Sequence, residues 1–243
     1  MSRTYVLVPG AWHGGWAWHP VARELESAGH RVIALTLPGL SAGEDPAAVS
    51  LADATECVAA EIERRDLRDV VLVCQDSSAY PVTAAAHRVR RRLARLVYWS
   101  GFVPVPGESV LDTIPAADAD MLTAAAEAAG GDSVLVPPHR WRANFLNTAP
   151  EHVQDLTYSL LRPQPMAYFT ESLDAAEAEV PDLPVSYIVG SADQSLPRDD
   201  NWYDPKYTAR LGVRPLVIDA CHAAFFTTPR LLADALDTVS SGH

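Results

Sequence analysis

Val70-Val-Leu-Val-Cys74-Gln75-Asp76-Ser77-Ser78-Ala79 is the most informative stretch of the chain. An unbroken apolar run of this length reads as a strand buried on both faces, and the small and helix-forming residues that follow read as a helix. The turn between them is short. A nucleophile carried on such a strand-to-helix elbow sits in a strained backbone conformation, so the residues two places before and after it must be small. Centred on Asp76, those neighbours are Cys74 and Ser78. Centring on Ser77 puts the bulky Gln75 at one of them, and centring on Ser78 puts Asp76 and Tyr80 there. Asp76 is therefore the elbow residue. The bland reading, that Asp76 only caps the following helix, stands until partners are found.

Working outward, further short β-branched runs alternate with helical patterns: Tyr5–Pro9, Arg31–Thr36, Arg95–Ser100, Val185–Val189 and Arg214–Asp219. With 70–74 they make six strands in βαβ order, the pattern of a mostly parallel sheet flanked by helices. Val21, Leu25 and Ala28 form one helical stripe closed by Gly29. Ser50 and Asp53 form a capping box ahead of Leu51, Ala54, Val58 and Ile62. Thr228 and Pro229 read as N-cap and first-turn proline of a last helix. The alternation breaks between 104 and 184. That stretch holds helical segments near 118–129, 151–161 and 166–178 but no strand, and it is too long for a loop. The expectation is a core of residues 1–103 and 185–243 with 104–184 inserted as a helical cap over it. A separate small domain is the alternative, weakened by hydrophobic faces too few to close a core.

Two aspartate and histidine positions answer the elbow. Val185–Gly190 leads through Ser191 and Ala192 to Asp193, and Arg214–Asp219 leads through Ala220 and Cys221 to His222. Both residues fall just past a strand, where open α/β sheets place their sites, and they follow Asp76 in the chain order nucleophile, acid, histidine. Asp76, Asp193 and His222 are the candidate catalytic residues.

The segment Leu7-Val-Pro-Gly10-Ala11-Trp12-His13-Gly14-Gly15-Trp16 resembles the N-terminal signature of the methylesterase and hydroxynitrile lyase branch of the α/β-hydrolase superfamily. Asp219-Ala-Cys-His222-Ala-Ala-Phe-Phe226 through Pro229 resembles that branch's histidine segment. The resemblance implies the α/β-hydrolase fold and an oxyanion hole made by the amides of Ala11 and Ser77. Two departures accompany it: Pro9-Gly10 stands where the family has His-Gly, and Asp76 stands where it has serine.

A carboxylate at the elbow resembles epoxide hydrolases and haloalkane dehalogenases. It implies attack at sp³ carbon, a covalent Asp76 ester, and hydrolysis of that ester by water activated by His222 and oriented by Asp193. Dehalogenases carry tryptophan directly after the nucleophile, where this chain has Ser77. An epoxide oxygen needs an acidic hydroxyl, for which the 104–184 segment offers Tyr158 and Tyr168, with His139 and Trp141 nearby. Epoxide hydrolysis is thus the leading expectation. Non-covalent acid–base chemistry (a lyase or cyclase), an ester hydrolase and a non-catalytic binding protein are the alternatives. Trp12, Trp141, Tyr158 and Tyr168 are the candidate substrate-binding residues, for a small apolar molecule, aromatic or polyketide-like.

Composition bounds the rest. A net charge of −12 argues against nucleic acid or an anionic membrane as partner. Cys57, Cys74 and Cys221 have neither paired nor C-x-x-C spacing, and the eight histidines show no metal-binding spacing. The expectations are no metal and no cofactor, a cytoplasmic protein without signal or membrane segment, and a monomer or homodimer.

Overall fold

The computed structural model describes residues 2–199 and 202–241. In chain order the elements are β1 (Thr4–Val8), α1 (His19–Ser27), β2 (Arg31–Ala34), α2 (Leu51–Arg64), β3 (Val70–Gln75), α3 (Ala79–Val89) and β4 (Leu93–Trp99). Next come α4 (Val110–Thr113), α5 (Ala116–Ala128), β5 (Ser133–Val134), α6 (Pro138–Arg140), α7 (Glu151–Leu160), β6 (Gln164–Pro165), α8 (Ala167–Thr170) and α9 (Ala175–Ala178). The chain finishes with β7 (Val185–Gly190), α10 (Tyr203–Leu211), β8 (Leu216–Ile218), α11 (Ala224–Thr227) and α12 (Pro229–Ser241).

Six strands form one parallel sheet in the order β2-β1-β3-β4-β7-β8. This is the α/β-hydrolase fold. The central strand β3 is buried at every position, which is why it lacks the alternation of a half-exposed strand. Burial also explains its neighbours: Val8 lies opposite Cys74, and Gln75 opposite Trp99, so three strands end side by side where the site will form. The last strand is shorter than its apolar run, because Pro215 has no N–H to enter the ladder.

Local signals set the flanking helices. α2 starts on the full Ser50/Asp53 capping box, with Ala54, Val58 and Ile62 turned inward. After α1, Gly29 takes φ +88°, which permits the His30 N–H to reach back to the Leu25 carbonyl at 3.1 Å. Thr228 differs from expectation. Its carbonyl accepts from Leu232 N–H at 3.1 Å, but its hydroxyl is buried without a partner and caps nothing.

The segment between β4 and β7 also departs from the helices expected of it. It contains a two-stranded antiparallel ribbon, with Ser133 opposite Pro165 and Val134 opposite Gln164, separate from the main sheet. Two residues per strand are too few to leave a periodic trace in sequence. The helix expected over 166–178 is broken into α8 and α9. Glu171 turns extended and its carboxylate accepts the Leu51 N–H at 2.8 Å. Asp174 then caps a new helix through the amides of Ala176 and Glu177.

Candidate active site

β3 delivers Asp76 into the turn with φ 54°, a left-handed conformation that costs a non-glycine residue about 1–3 kcal/mol. The surroundings hold it there. Phe102 N–H donates to the Asp76 carbonyl at 3.1 Å. Ser78 Oγ accepts the Gln75 N–H at 3.0 Å and lies within reach of the Gln75 and Val8 carbonyls, so this hydroxyl braces the turn. Gly10 completes the cradle. A Cβ added there would stand 2.7 Å from Asp76 Cβ. Gly10→Ala should therefore displace the carboxylate and cut kcat by roughly 10²-fold, the size of effect a ~1 Å misplacement produces, with little change in melting temperature. An unchanged kcat would show that the turn tolerates the methyl group.

Gln75, directly before the elbow, is a tie that the sequence reading did not single out. Its Oε1 accepts from Gly10 N–H at 3.1 Å and its Nε2 donates to the His222 carbonyl at 3.2 Å. Trp99 Nε1–H donates to the same carbonyl at 3.1 Å. Loops that follow β1, β3 and β8 are thereby locked to one another.

The structure brings Asp76, Asp193 and His222 together. His222 Nδ1 lies 2.9 Å from Asp193 Oδ2 and Nε2 lies 3.2 Å from Asp76 Oδ2. All three are buried. Burial alone would disfavour the imidazolium, but Asp193 and Asp76 outweigh it through charge and hydrogen bonding and raise His222 to about 10. Asp193 is held below the usual carboxylate range: burial pushes it up, but the His222 charge and the hydrogen bonds from His222 and Ser195 prevail. The site thus favours the protonated form of His222, with Asp193 on one side of the ring and Asp76 on the other.

Three hydroxyls around Asp193 escaped the sequence reading. Ser100, at φ 44° just beyond β4, donates to Asp193 Oδ2 at 2.8 Å. Ser195 lies two residues past Asp193, the one clue available in sequence. Its N–H and Oγ reach Asp193 Oδ1 at 2.9 and 2.6 Å, and Oγ lies 3.0 Å from His222 Nδ1. Ser195, His222 and Asp193 therefore form a mutually hydrogen-bonded serine–histidine–aspartate set. Tyr203 OH closes the group at 2.8 Å from Ser195 Oγ.

Of the two candidate oxyanion amides, that of Ser77 donates to Asp76's own Oδ1. Ala11 lies between two tethered neighbours: Gly10 N–H is tied to Gln75, and Trp12 N–H donates to Gln164 Oε1 at 2.8 Å. Ser77 lines a small separate recess beside Pro9 and Tyr168.

Above Asp76 is an apolar cavity walled by Trp12, Phe102, Val110 and Phe145. Phe145 meets the His222 ring edge-on at 5.2 Å. Trp12 is the one candidate binding residue of the four that lines it. Trp141 lies behind, stacked on Phe145 at 6.1 Å, its indole N–H donating to the Gln154 carbonyl at 3.1 Å. Tyr158 OH donates to the Val136 carbonyl at 2.9 Å and Tyr168 OH to the Pro38 carbonyl at 2.7 Å. Neither tyrosine is placed to protonate a leaving oxygen, because each hydroxyl satisfies a backbone carbonyl elsewhere. No cluster of metal-ligating side chains occurs among the described residues, and no helix there is long and apolar enough to cross a membrane.

The sequence profile of the alpha/beta hydrolase family matches residues 5–235. The chain belongs to that family. Among its relatives, methylesterase 18 of Arabidopsis thaliana is 26% identical, covering 94% of this chain and 93% of the relative. An α-hydroxynitrile lyase of the same plant is 24% identical over 98% and 97%. A carbendazim-hydrolysing esterase of a Nocardioides strain is 37% identical, but the match spans 46% of this chain and 48% of that one. In structure, the chain is similar to an extracellular α/β-hydrolase from a Paenibacillus species that shares homology with tobacco salicylic acid binding protein 2. That TM-score is 0.94, with 26% identity over 99% of this chain and 100% of the other.

These relatives overturn the expectation of epoxide hydrolysis through a covalent Asp76 ester. Matches along the full length are to a methylesterase and a hydroxynitrile lyase, enzymes of a different chemistry. One feature of the site agrees with the correction: the tyrosines that would open an epoxide are committed elsewhere. The chain is an α/β-hydrolase-fold enzyme whose elbow carries aspartate.

Proposed function

We propose that the enzyme is a cofactor-independent lyase that releases a carbonyl compound from a small alcohol adduct, by proton transfer between Asp76 and His222. The observation that carries this reading is the direct Asp76 Oδ2–His222 Nε2 contact of 3.2 Å between a carboxylate and a cationic imidazole. Asp76 takes the proton of the substrate hydroxyl. The carbinol oxygen becomes a carbonyl as the bond to the leaving group breaks, the leaving group departing with the electron pair. His222 protonates it from Nε2, and the proton held on Asp76 returns to His222 across the same contact. Asp193, itself held by the Ser100 and Ser195 hydroxyls, keeps His222 oriented throughout and favours its reprotonation at the end of the cycle. The hydroxynitrile lyase among the full-length relatives supports this class of reaction.

With mandelonitrile as probe, release of benzaldehyde is expected, and turnover in heavy-oxygen water should leave Asp76 unlabelled. Rate should persist through neutral pH and fall above about pH 10, because His222 must start protonated and loses its proton there. A rate that climbs with pH towards 10 would mean that neutral imidazole is the working form, and would refute this assignment.

Ester hydrolysis is the second reading. It is favoured by the serine–histidine–aspartate set at Ser195, whose side chain also borders the cavity, and by the esterases among the relatives. A burst of 4-nitrophenolate from 4-nitrophenyl acetate, lost in Ser195→Ala, would support it over the first.

A further inference from the structure

Most of the cavity wall is apolar, and its floor carries Asp76 and Ser195. One further polar feature borders it. Asp118 on α5 and Arg140 on α6 both line the cavity, and an Arg140 Nη2–H donates to Asp118 Oδ1. Their side chains are 19% and 31% exposed, so the pair is half withdrawn from water. Among the described residues, Asp118 is the only hydrogen-bond partner of the Arg140 guanidinium, a group with five N–H donors. Asp118 likewise has lone pairs beyond the one that Arg140 engages.

From this pair we infer a recognition subsite for a hydroxyl group on the part of the substrate remote from the reacting carbon. The inference rests on the reading of the cavity as a small-carbonyl site and adds the substrate class to it. Charge decides the chemistry. A carboxylate on the substrate would meet Arg140 but also the negative Asp118, which would have to be displaced. A carbonyl could use only Arg140. A hydroxyl accepts from Arg140 and donates to Asp118 at once, leaving the ion pair intact. The aromatic wall of Trp12, Phe102 and Phe145 suits a ring as the spacer, so the expected class is a hydroxyaryl or similarly rigid hydroxylated carbonyl compound.

Calorimetric binding of benzaldehyde, 4-hydroxybenzaldehyde and 4-formylbenzoate tests it without recourse to turnover. The hydroxylated ring should bind at least about 10-fold more tightly than benzaldehyde, as hydrogen bonds to charged groups allow. That preference should vanish in the doubly neutral variant Asp118→Ala/Arg140→Met, while its benzaldehyde affinity stays within roughly twofold, since neither charge is left unpaired. A melting curve of the variant checks that a lost latch between α5 and α6 has not unfolded the segment. Equal affinities in the wild type, a preference for the formylbenzoate, a preference that survives in the variant, or no binding of any probe each overturns the subsite. Proton transfer at Asp76 is judged separately, by mandelonitrile cleavage and its pH profile, so either assignment fails without the other.

Discussion

Asp76→Asn is expected to lower kcat by about 10²–10⁴-fold while leaving the melting temperature nearly unchanged, because the amide fills the same space but cannot take a proton. Its contact with His222 at 3.2 Å becomes a neutral hydrogen bond, and one of the two carboxylates that hold His222 charged is gone. The pH profile should report this second effect: the alkaline limb should move below the wild-type value of about 10. Three serines serve as controls. Ser77→Ala should keep most activity, since the backbone amide rather than the hydroxyl faces Asp76. Ser78→Ala removes the brace of the turn and should act on stability before activity. Ser195→Ala removes one of several groups oriented on Asp193 and should cost less than Asp76→Asn. Should Ser195→Ala be as inactive as Asp76→Asn, with its fold intact, the serine–histidine–aspartate set would be the catalytic one.

Gly190→Ala is the largest expected effect on folding. Gly190 ends β7 against the chain leaving β8, and an added Cβ would stand 2.2 Å from the Ala220 carbonyl oxygen and 3.3 Å from the Trp99 ring. The nearest obstacle is backbone, which cannot swing aside as a side chain could. Separating the strands would also break the Ala192 N–H to Ala220 carbonyl bond of 3.0 Å. Overpacking of this kind costs about 3 kcal/mol, which for a domain of this size lowers the melting temperature by roughly 6–12 °C. Activity should fall further than unfolding explains. Asp193 and His222 lie on the two loops forced apart, and their 2.9 Å bond is one of the contacts that favour the protonated imidazole. A melting temperature within 2 °C of wild type, with an unshifted pH profile, would refute this account, by roughly the scale used above.

Much of the architecture is legible in the chain because it depends on local pattern. Six apolar runs in βαβ order, the capping box at Ser50 and the glycine after α1 act through neighbours within a few residues. The elbow is local in the same sense: Cys74 and Ser78 are small because Asp76 sits in a tight left-handed turn between them. Asp193 and His222 could be found because each follows a strand, and parallel strands deliver their carboxyl ends to one edge.

What tertiary structure decided is which polar atoms meet, and this depends on strand order rather than on any window of sequence. Gln75 reaches Gly10 and His222, 65 and 147 positions away, because the loops after β1, β3 and β8 meet at one edge of the sheet. Ser100 closes on Asp193 only once β4 and β7 are paired. Tyr158 and Tyr168 read equally well as catalytic or structural until their hydroxyls are seen to satisfy distant backbone carbonyls. His222 acquires its charge from two carboxylates 146 and 29 positions away, in a place that water does not reach. Residue identity and order therefore determined the fold and the three groups at its edge. Burial and the partners it forced on each group decided their protonation, and with it the chemistry open to them.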